Sequence, residues 1–285
     1  MTITGNTQLI GLIGWPVSHS RSPAMHNAAA AALGLDWAYV PLPVRPDDLA
    51  TAVSALPILG FRGVNVTVPH KQAVIPLLDE LAAGARALGA VNTILVGADG
   101  RLTGYNTDWT GFQADLAGQG VVVNGRTCLV LGAGGSARAV VYALAQMGGQ
   151  VQVLARRPAQ AAQLAADLQP HLTNSLIEER PLTDLPRVAV QTEAPLIVNT
   201  TPLGMTPHTD QSVWPDALPI PAGSFVYDLV YNPAQTKLMA QAEAAGCQAS
   251  NGLGMLLHQG AQAFALWTGQ PPDLAVMAAS LADTP

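Results

Sequence analysis

The chain has 285 residues, 49% hydrophobic and 11% charged, a balance that suits a well-buried globular core and excludes a disordered polymer. A net charge of −6 gives no basic face for nucleic acid, and no stretch is apolar for long enough to cross a membrane. Cys128 and Cys247 are too few and too scattered for a disulfide framework or a zinc site. The length suggests one large or two moderate domains. The start MTITGNTQLIGL has no basic region followed by a long apolar one, so a cytoplasmic enzyme is expected.

In chain order, Gln8–Ile13 reads as a strand. It leads into a polar loop through Ser18, His19, Ser20 and Arg21, then a helix with Pro23 in its first turn and alanines through Ala32. Ser22 is expected to cap that helix. Ser18 and Ser20 have no such duty, and short hydroxyls near a helix N-terminus suit an anionic substrate. His26 reads as a packing or surface residue. Trp37–Pro43 is expected as a strand, Pro46–Leu56 as a helix and Gly60–Val68 as a strand ending in Asn65-Val66-Thr67-Val68-Pro69-His70-Lys71.

Thirteen residues are basic, yet only Lys71 and Lys237 are lysines. Unlike arginine, lysine can lose its proton when partly desolvated, as a general acid/base must. As an ordinary residue opening a helix, Lys71 would put a cation at the unfavourable end. Lys237, at the start of a later helix, reads as a surface residue. Ala90–Ile94 and Arg101–Gly104 read as paired strands around the turn Gly97–Gly100. Asn106, Thr107 and Asp108 follow, at the expected junction with a second domain. Asp108 is either a helix-opening acid or a carboxylate that orients a lysine and accepts from a substrate hydroxyl.

Cys128–Leu131 reads as a buried parallel strand running into Gly132-Ala133-Gly134-Gly135, a bend that glycine makes at little cost. Ser136 is expected at the N-cap, and Ala137 fills the small position that helix–strand packing needs. Gly148 and Gly149 end the helix, and Val151–Leu154 is the next strand. This βαβ unit of about thirty residues is the context of a dinucleotide site. The second strand ends in Arg156-Arg157, where NAD-binding chains place an acid. The pair suits a 2′-phosphate, the alternative being two solvated cations. NADP is therefore expected over NAD.

Pro158–Leu168 is expected as a helix, Leu196–Val198 as a strand entering Asn199-Thr200-Thr201-Pro202-Leu203-Gly204-Met205, and Phe225–Val230 as a strand before Tyr231. Residues 169–194 carry no clear pattern. Asn251–Trp267 is an amphipathic helix with Leu253, Leu256, Leu257, Phe264 and Trp267 as its expected core stripe, and Met255 and Gln259 on another face.

HSRSPAMHN (His19–Asn27), NVTVPHK (Asn65–Lys71), GAVNT (Gly89–Thr93), GYNTDWTGF (Gly104–Phe112) and GAGGSARA (Gly132–Ala139) resemble, in the same order, the motifs of the shikimate dehydrogenase family. The resemblance runs to the C-terminus. It implies an α/β fold of two domains: a discontinuous substrate-binding domain of residues 1–106 and 250–285, and a Rossmann-like NADP-binding domain of residues 107–249. It also implies a groove between them that closes on the cofactor.

The implied reaction is reversible, metal-free reduction of 3-dehydroshikimate by NADPH, a step of chorismate and aromatic amino-acid biosynthesis. Lys71 and Asp108 match the family's catalytic pair. Ser18, Ser20, Thr67, Asn92, Tyr231 and Gln259 match substrate-binding positions. Gly132, Ala133, Gly134, Gly135, Ser136, Ala137, Arg156, Arg157, Asn199, Thr200, Thr201, Leu229, Gly252 and Met255 match cofactor-side positions. One departure is Gln160, where the family carries a second basic residue. A quinate or dual-specificity enzyme using NAD and a non-catalytic ligand sensor are the rival readings, and monomer and homodimer both stay open.

Overall fold

The computed structural model describes residues 3–173 and 175–282. They form two compact units, one holding residues up to Thr107 together with those from Leu257 onward, the other Asp108–Leu256. Among the described residues no helix is long and apolar enough to cross a membrane.

The first unit opens with β1 (Gln8–Gly14), α1 (Ser22–Ala32), β2 (Trp37–Pro43), α2 (Leu49–Ile58), β3 (Phe61–Val66), β4 (Glu80–Leu81), α3 (Ala83–Leu88), β5 (Thr93–Val96) and β6 (Leu102–Tyr105). Its sheet runs β2-β1-β3-β5-β6-β4. β1 is parallel to β2 and β3, whereas β5 is antiparallel to both β3 and β6. That reversal brings the start of β5 level with the ends of β3 and β6: Thr93 pairs with Asn65 on one side and Tyr105 on the other. Val64, Val66, Ile94 and Leu102 bury one apolar core, and Ile10, Leu12 and Tyr39 contribute to a second.

The second unit contains α4 (Asp108–Gly118), β7 (Thr127–Leu131), α5 (Gly135–Gln146), β8 (Gln150–Ala155), α6 (Pro158–Leu168), β9 (Ile177–Pro181), α7 (Leu185–Gln191), β10 (Leu196–Asn199), β11 (Phe225–Asp228), α8 (Lys237–Ala244) and β12 (Gln248–Asn251). The strand order is β12-β11-β10-β7-β8-β9, all parallel. From β7 the chain moves outward through β8 and β9, then crosses back to β10 and moves the other way. The switch between β7 and β10 is where open α/β sheets bind ligands, outside the carboxyl ends of the strands. The chain finishes with α9 (Leu253–Thr268) and α10 (Leu274–Ala282).

Most expected elements are present, with local corrections. Ser22 is the first residue of α1, not its cap; Arg21 takes the cap position, and its side chain makes no capping bond to the helix. Ser20 has the local duty instead, its Oγ accepting from the Ser22 N–H at 3.2 Å. Ser136 is likewise one residue inside α5, with Gly134 at the cap. Lys71 opens no helix: it lies in a run of turns before a single 3-10 turn at Ile75–Leu77, because the Val91 N–H takes its carbonyl at 2.8 Å. The segment Pro46–Leu56 divides into a 3-10 turn over Pro46–Asp48 and then α2. The uninformative stretch 169–194 supplies β9 and α7.

The stripe on α9 also differs. Met255, Gln259, Ala263, Phe264 and Trp267 are buried, while Leu253, Leu256 and Leu257 are half-buried. Close packing explains this choice of face in the first unit. A Cβ on Gly63 would stand 2.2 Å from Trp267 Nε1, and one on Gly260 equally near Met25 Cε. Trp267 then donates to the Ile94 carbonyl at 2.9 Å. Small residues let the helix ride directly on the sheet and on α1.

Candidate functional site

In the first unit, the expected substrate residues gather where β1, β3 and β6 end and β5 begins. Gly14 ends β1, and a Cβ there would meet Thr67 Cγ2 at 2.4 Å, so glycine lets the two segments touch. The Thr67 N–H donates to the Ile13 carbonyl at 2.9 Å and the Trp15 N–H to that of Val68 at 3.0 Å. These bonds fix the loop that carries Ser18, exposed, and Ser20, half-buried. Lys71 is half-buried just beyond.

Below this rim lies a buried polar network. Asn92 Oδ1 accepts from the Thr107 N–H at 2.7 Å and from the Thr93 hydroxyl at 3.0 Å. Asn92 Nδ2 donates to Thr107 Oγ1 at 3.0 Å and to Gln259 Oε1 at 3.4 Å. Asn65 Nδ2 donates to Thr93 Oγ1 at 3.0 Å and to the Asn92 carbonyl at 3.2 Å, while Asn65 Oδ1 accepts from the Tyr39 hydroxyl at 2.8 Å. Burial holds the Tyr39 phenol protonated far above its usual range. Its ring stacks on His26, centroid to centroid at 4.4 Å. His26 is fully buried, neither ring nitrogen is hydrogen-bonded among the described residues, and burial pushes its pKa down to about 3. Asn65, Thr93 and Tyr39 belong to this network although the sequence pattern assigns them no role. The available signal was an asparagine inside the apolar run of β3.

In the second unit, Gly132 leaves β7 at φ +113°, and a Cβ there would lie 2.6 Å from Thr200 Oγ1. Thr200 bridges the switch point: its N–H and its hydroxyl both donate to the Leu131 carbonyl at 2.9 Å. Gly134 and Gly135 have open space where side chains would stand. α5 has no acidic residue in its first turn and no side-chain cap, which leaves its N-terminal N–H groups for an anion.

A cavity of about 270 Å³ opens beside Gly132, Ala133 and Gly134, with Arg156, Arg157, Gln160, Thr200 and Thr201 among its walls. It is smaller than the ~300–1,000 Å³ of whole-ligand pockets and accommodates part of a dinucleotide. Arg156 and Arg157 are exposed and pair with no carboxylate among the described residues. The residues present therefore fit a nucleotide with an added phosphate. No cluster of His, Cys, Asp or Glu among the described residues is arranged to hold a metal.

The other cofactor-side positions do not line that cavity. Asn199 is fully buried and its amide is used internally: the nitrogen donates to Asp228 Oδ1 at 2.8 Å and the Leu203 carbonyl at 3.3 Å. Its oxygen accepts from the Thr201 N–H and hydroxyl at 2.9 and 2.7 Å. Asp228 also accepts from Thr236 at 2.7 Å and the Val230 N–H at 3.0 Å. Burial pushes the Asp228 carboxyl up, and its bonds to Thr236, Val230 and Asn199 oppose that shift. Gly252 lies against the Leu229 carbonyl, 2.2 Å from where its Cβ would be. Ser136 is exposed, Ala137 and Met255 are buried, and Tyr231 is half-buried three residues after β11. Asp108 is half-buried at the first turn of α4, which suits a carboxylate.

A family model described as shikimate dehydrogenase substrate binding domain matches residues 12–94, and one described as shikimate 5'-dehydrogenase C-terminal domain matches residues 252–282. The shikimate dehydrogenase (NADP(+)) of Citrifermentans bemidjiense is 47% identical over 284 residues, covering 99% of this chain and 97% of the relative. This chain belongs to the shikimate dehydrogenase family. Among solved structures it resembles shikimate 5-dehydrogenase from Thermus thermophilus in complex with NADP(H) and shikimate, at a TM-score of 0.86 and 37% identity over 96% of this chain and 98% of that one. It also resembles a quinate dehydrogenase from Corynebacterium glutamicum in complex with NAD, at 0.91 and 35% over 98% of this chain and the whole of the other.

Proposed function

We propose that this chain is an NADP-dependent oxidoreductase that interconverts 3-dehydroshikimate and shikimate in the cytoplasm. In this reading the unit containing β1–β6 binds substrate and the unit containing β7–β12 binds the cofactor. The observation that carries it is the free guanidinium pair Arg156–Arg157 on the wall of the Gly132–Gly134 cavity, at the end of β8 where an acid would favour NAD. The guanidiniums hold the 2′-phosphate, the glycine bend admits the pyrophosphate backbone-close, and the first N–H groups of α5 face its charge.

When bound, NADPH supplies the hydride that reaches the substrate's C3 carbonyl carbon. The carbonyl oxygen gains negative charge as the C=O π bond opens, and Lys71 Nζ gives it a proton; in the reverse direction the neutral amine takes that proton back. Asp108 accepts from the neighbouring ring hydroxyl. Ser18 and Ser20 donate to the ring carboxylate, joined on that side by Tyr231. Thr67, Asn92 and Gln259 hold the ring hydroxyls.

The test is reduced-nicotinamide formation by the purified protein with shikimate or quinate against NADP or NAD. Activity concentrated in the shikimate–NADP pair is the expected result. Dominant quinate or NAD turnover would transfer the chain to the dual-specificity reading, and a folded but inactive protein would favour a ligand sensor.

A further inference from the structure

We infer that Tyr39, Asn65 and Thr93 are positioning residues that fix which way the Asn92 amide points, so that its oxygen is held by the protein and its NH2 is the group offered to a substrate hydroxyl. The inference rests on the proposed function, which makes Asn92 a substrate-binding residue.

An asparagine amide is nearly symmetric in shape, so its two orientations differ only through their hydrogen-bond partners. Here backbone groups remove the ambiguity at two points. The Thr107 N–H can only donate, so the Asn92 atom 2.7 Å from it is the oxygen. The Asn92 carbonyl can only accept, so the Asn65 atom 3.2 Å from it is the nitrogen.

The side chains propagate these assignments. With its nitrogen so placed, Asn65 turns its oxygen to the Tyr39 hydroxyl at 2.8 Å and donates to Thr93 Oγ1 at 3.0 Å. The single Thr93 hydroxyl proton is then directed to Asn92 Oδ1 at 3.0 Å. The Thr107 N–H and the Thr93 hydroxyl thus converge on the Asn92 oxygen, and a flipped amide would meet both with N–H groups. Tyr39, Asn65, Asn92 and Thr93 are all buried, at 3%, 5%, 3% and 0% exposure, so water is not at hand to replace a lost partner. The Asn92 donation to Gln259, at 3.4 Å, is longer than that to Thr107 Oγ1 at 3.0 Å and is the more easily given up to a ligand oxygen.

Thr93→Val keeps the shape and β-branching of the side chain while removing the hydroxyl. It should raise the KM for shikimate about five- to tenfold, the loss expected for one buried hydrogen bond, with the KM for NADP unchanged. Thr93→Ser restores the hydroxyl and should return the shikimate KM to within about twofold of the parent. Tyr39→Phe keeps the ring on His26 and should shift the same constant in the same direction, so it provides the split if Thr93→Val does not fold. A shikimate KM unmoved in both, an equal rise for both substrates, or a Thr93→Ser variant as impaired as Thr93→Val would overturn the inference. An active parent with unmoved variants removes the inference alone, whereas a parent inactive toward shikimate removes the functional reading and this inference with it.

Discussion

Lys71 shows how a single side chain is placed by its backbone. Its own carbonyl is tied to the Val91 N–H at 2.8 Å, and the His70 N–H is bound to the Thr67 carbonyl at 2.9 Å, so the backbone is anchored where the side chain departs. His70 Nε2 lies 2.8 Å from the Val44 carbonyl, which anchors the segment on its other side. The side chain itself is half-buried, which suits the proton transfer proposed for it. Lys71→Ala should lower kcat by about 10²–10⁴-fold, the range of general acid–base contributions, with shikimate affinity by calorimetry changed little. Near-parent turnover would take Lys71 out of the chemistry. Nothing at residue scale in the sequence marked Thr93 or Tyr39, because the partner they share, Asn65, lies 28 and 26 positions away.

Among the elements, the carboxyl ends of β10 and β11 are held by side chains rather than by the ladder alone. Asn199 and Asp228, opposite one another in the pairing of these strands, exchange a 2.8 Å bond, and Thr236 at the cap of α8 completes the cluster. The loop Thr200–Leu203, part of the cavity wall, hangs from Asn199 through three of its bonds. Asn199→Ala would leave a fully buried carboxyl short of a donor and free that loop. The expected cost is about 3 kcal/mol in urea unfolding, since an unsatisfied buried charged group costs more than a neutral one, together with a raised KM for NADP. A variant as stable as the parent would show that the cluster is dispensable. Within the sequence, Asp228 was visible as an acid in the apolar run FVYDLV, but its partner was not.

For the molecule as a whole, His26 makes stability depend on pH. In the fold its pKa is lowered from 6.5 to about 3 by burial, so the native state excludes the extra proton that an unfolded chain takes up. Its contribution is therefore complete above about pH 6.5 and is lost as the pH falls toward 3, at about 1.4 kcal/mol per unit. Between pH 6.5 and 5 the parent should lose about 2 kcal/mol more than His26→Phe, which keeps an aromatic ring against Tyr39, Phe264 and Trp267. Urea titrations at the two pH values measure the difference, and parallel losses in the two proteins would reject it.

The sequence by itself determined many of the strands and helices, though not β9 or α7, together with the glycine bend after β7 and the family to which the chain belongs. Those features are local: apolar runs, 3.6-residue periodicity and turn residues act over a few positions, and motif order survives in one dimension. The helix starts at Ser22 and Ser136 were one residue out, because a cap depends on where the first turn closes. Only the tertiary structure decided that β5 runs against β3, bringing Asn65, Thr93 and Thr107 around Asn92. It alone put Asn199 to internal use rather than on the cavity wall, and it chose Met255, Gln259 and Ala263 over the leucines as the buried face of α9. Each of these outcomes turns on pairing between distant segments, where hydrogen-bond partners and the space left by Gly63 and Gly260 are supplied by other parts of the fold.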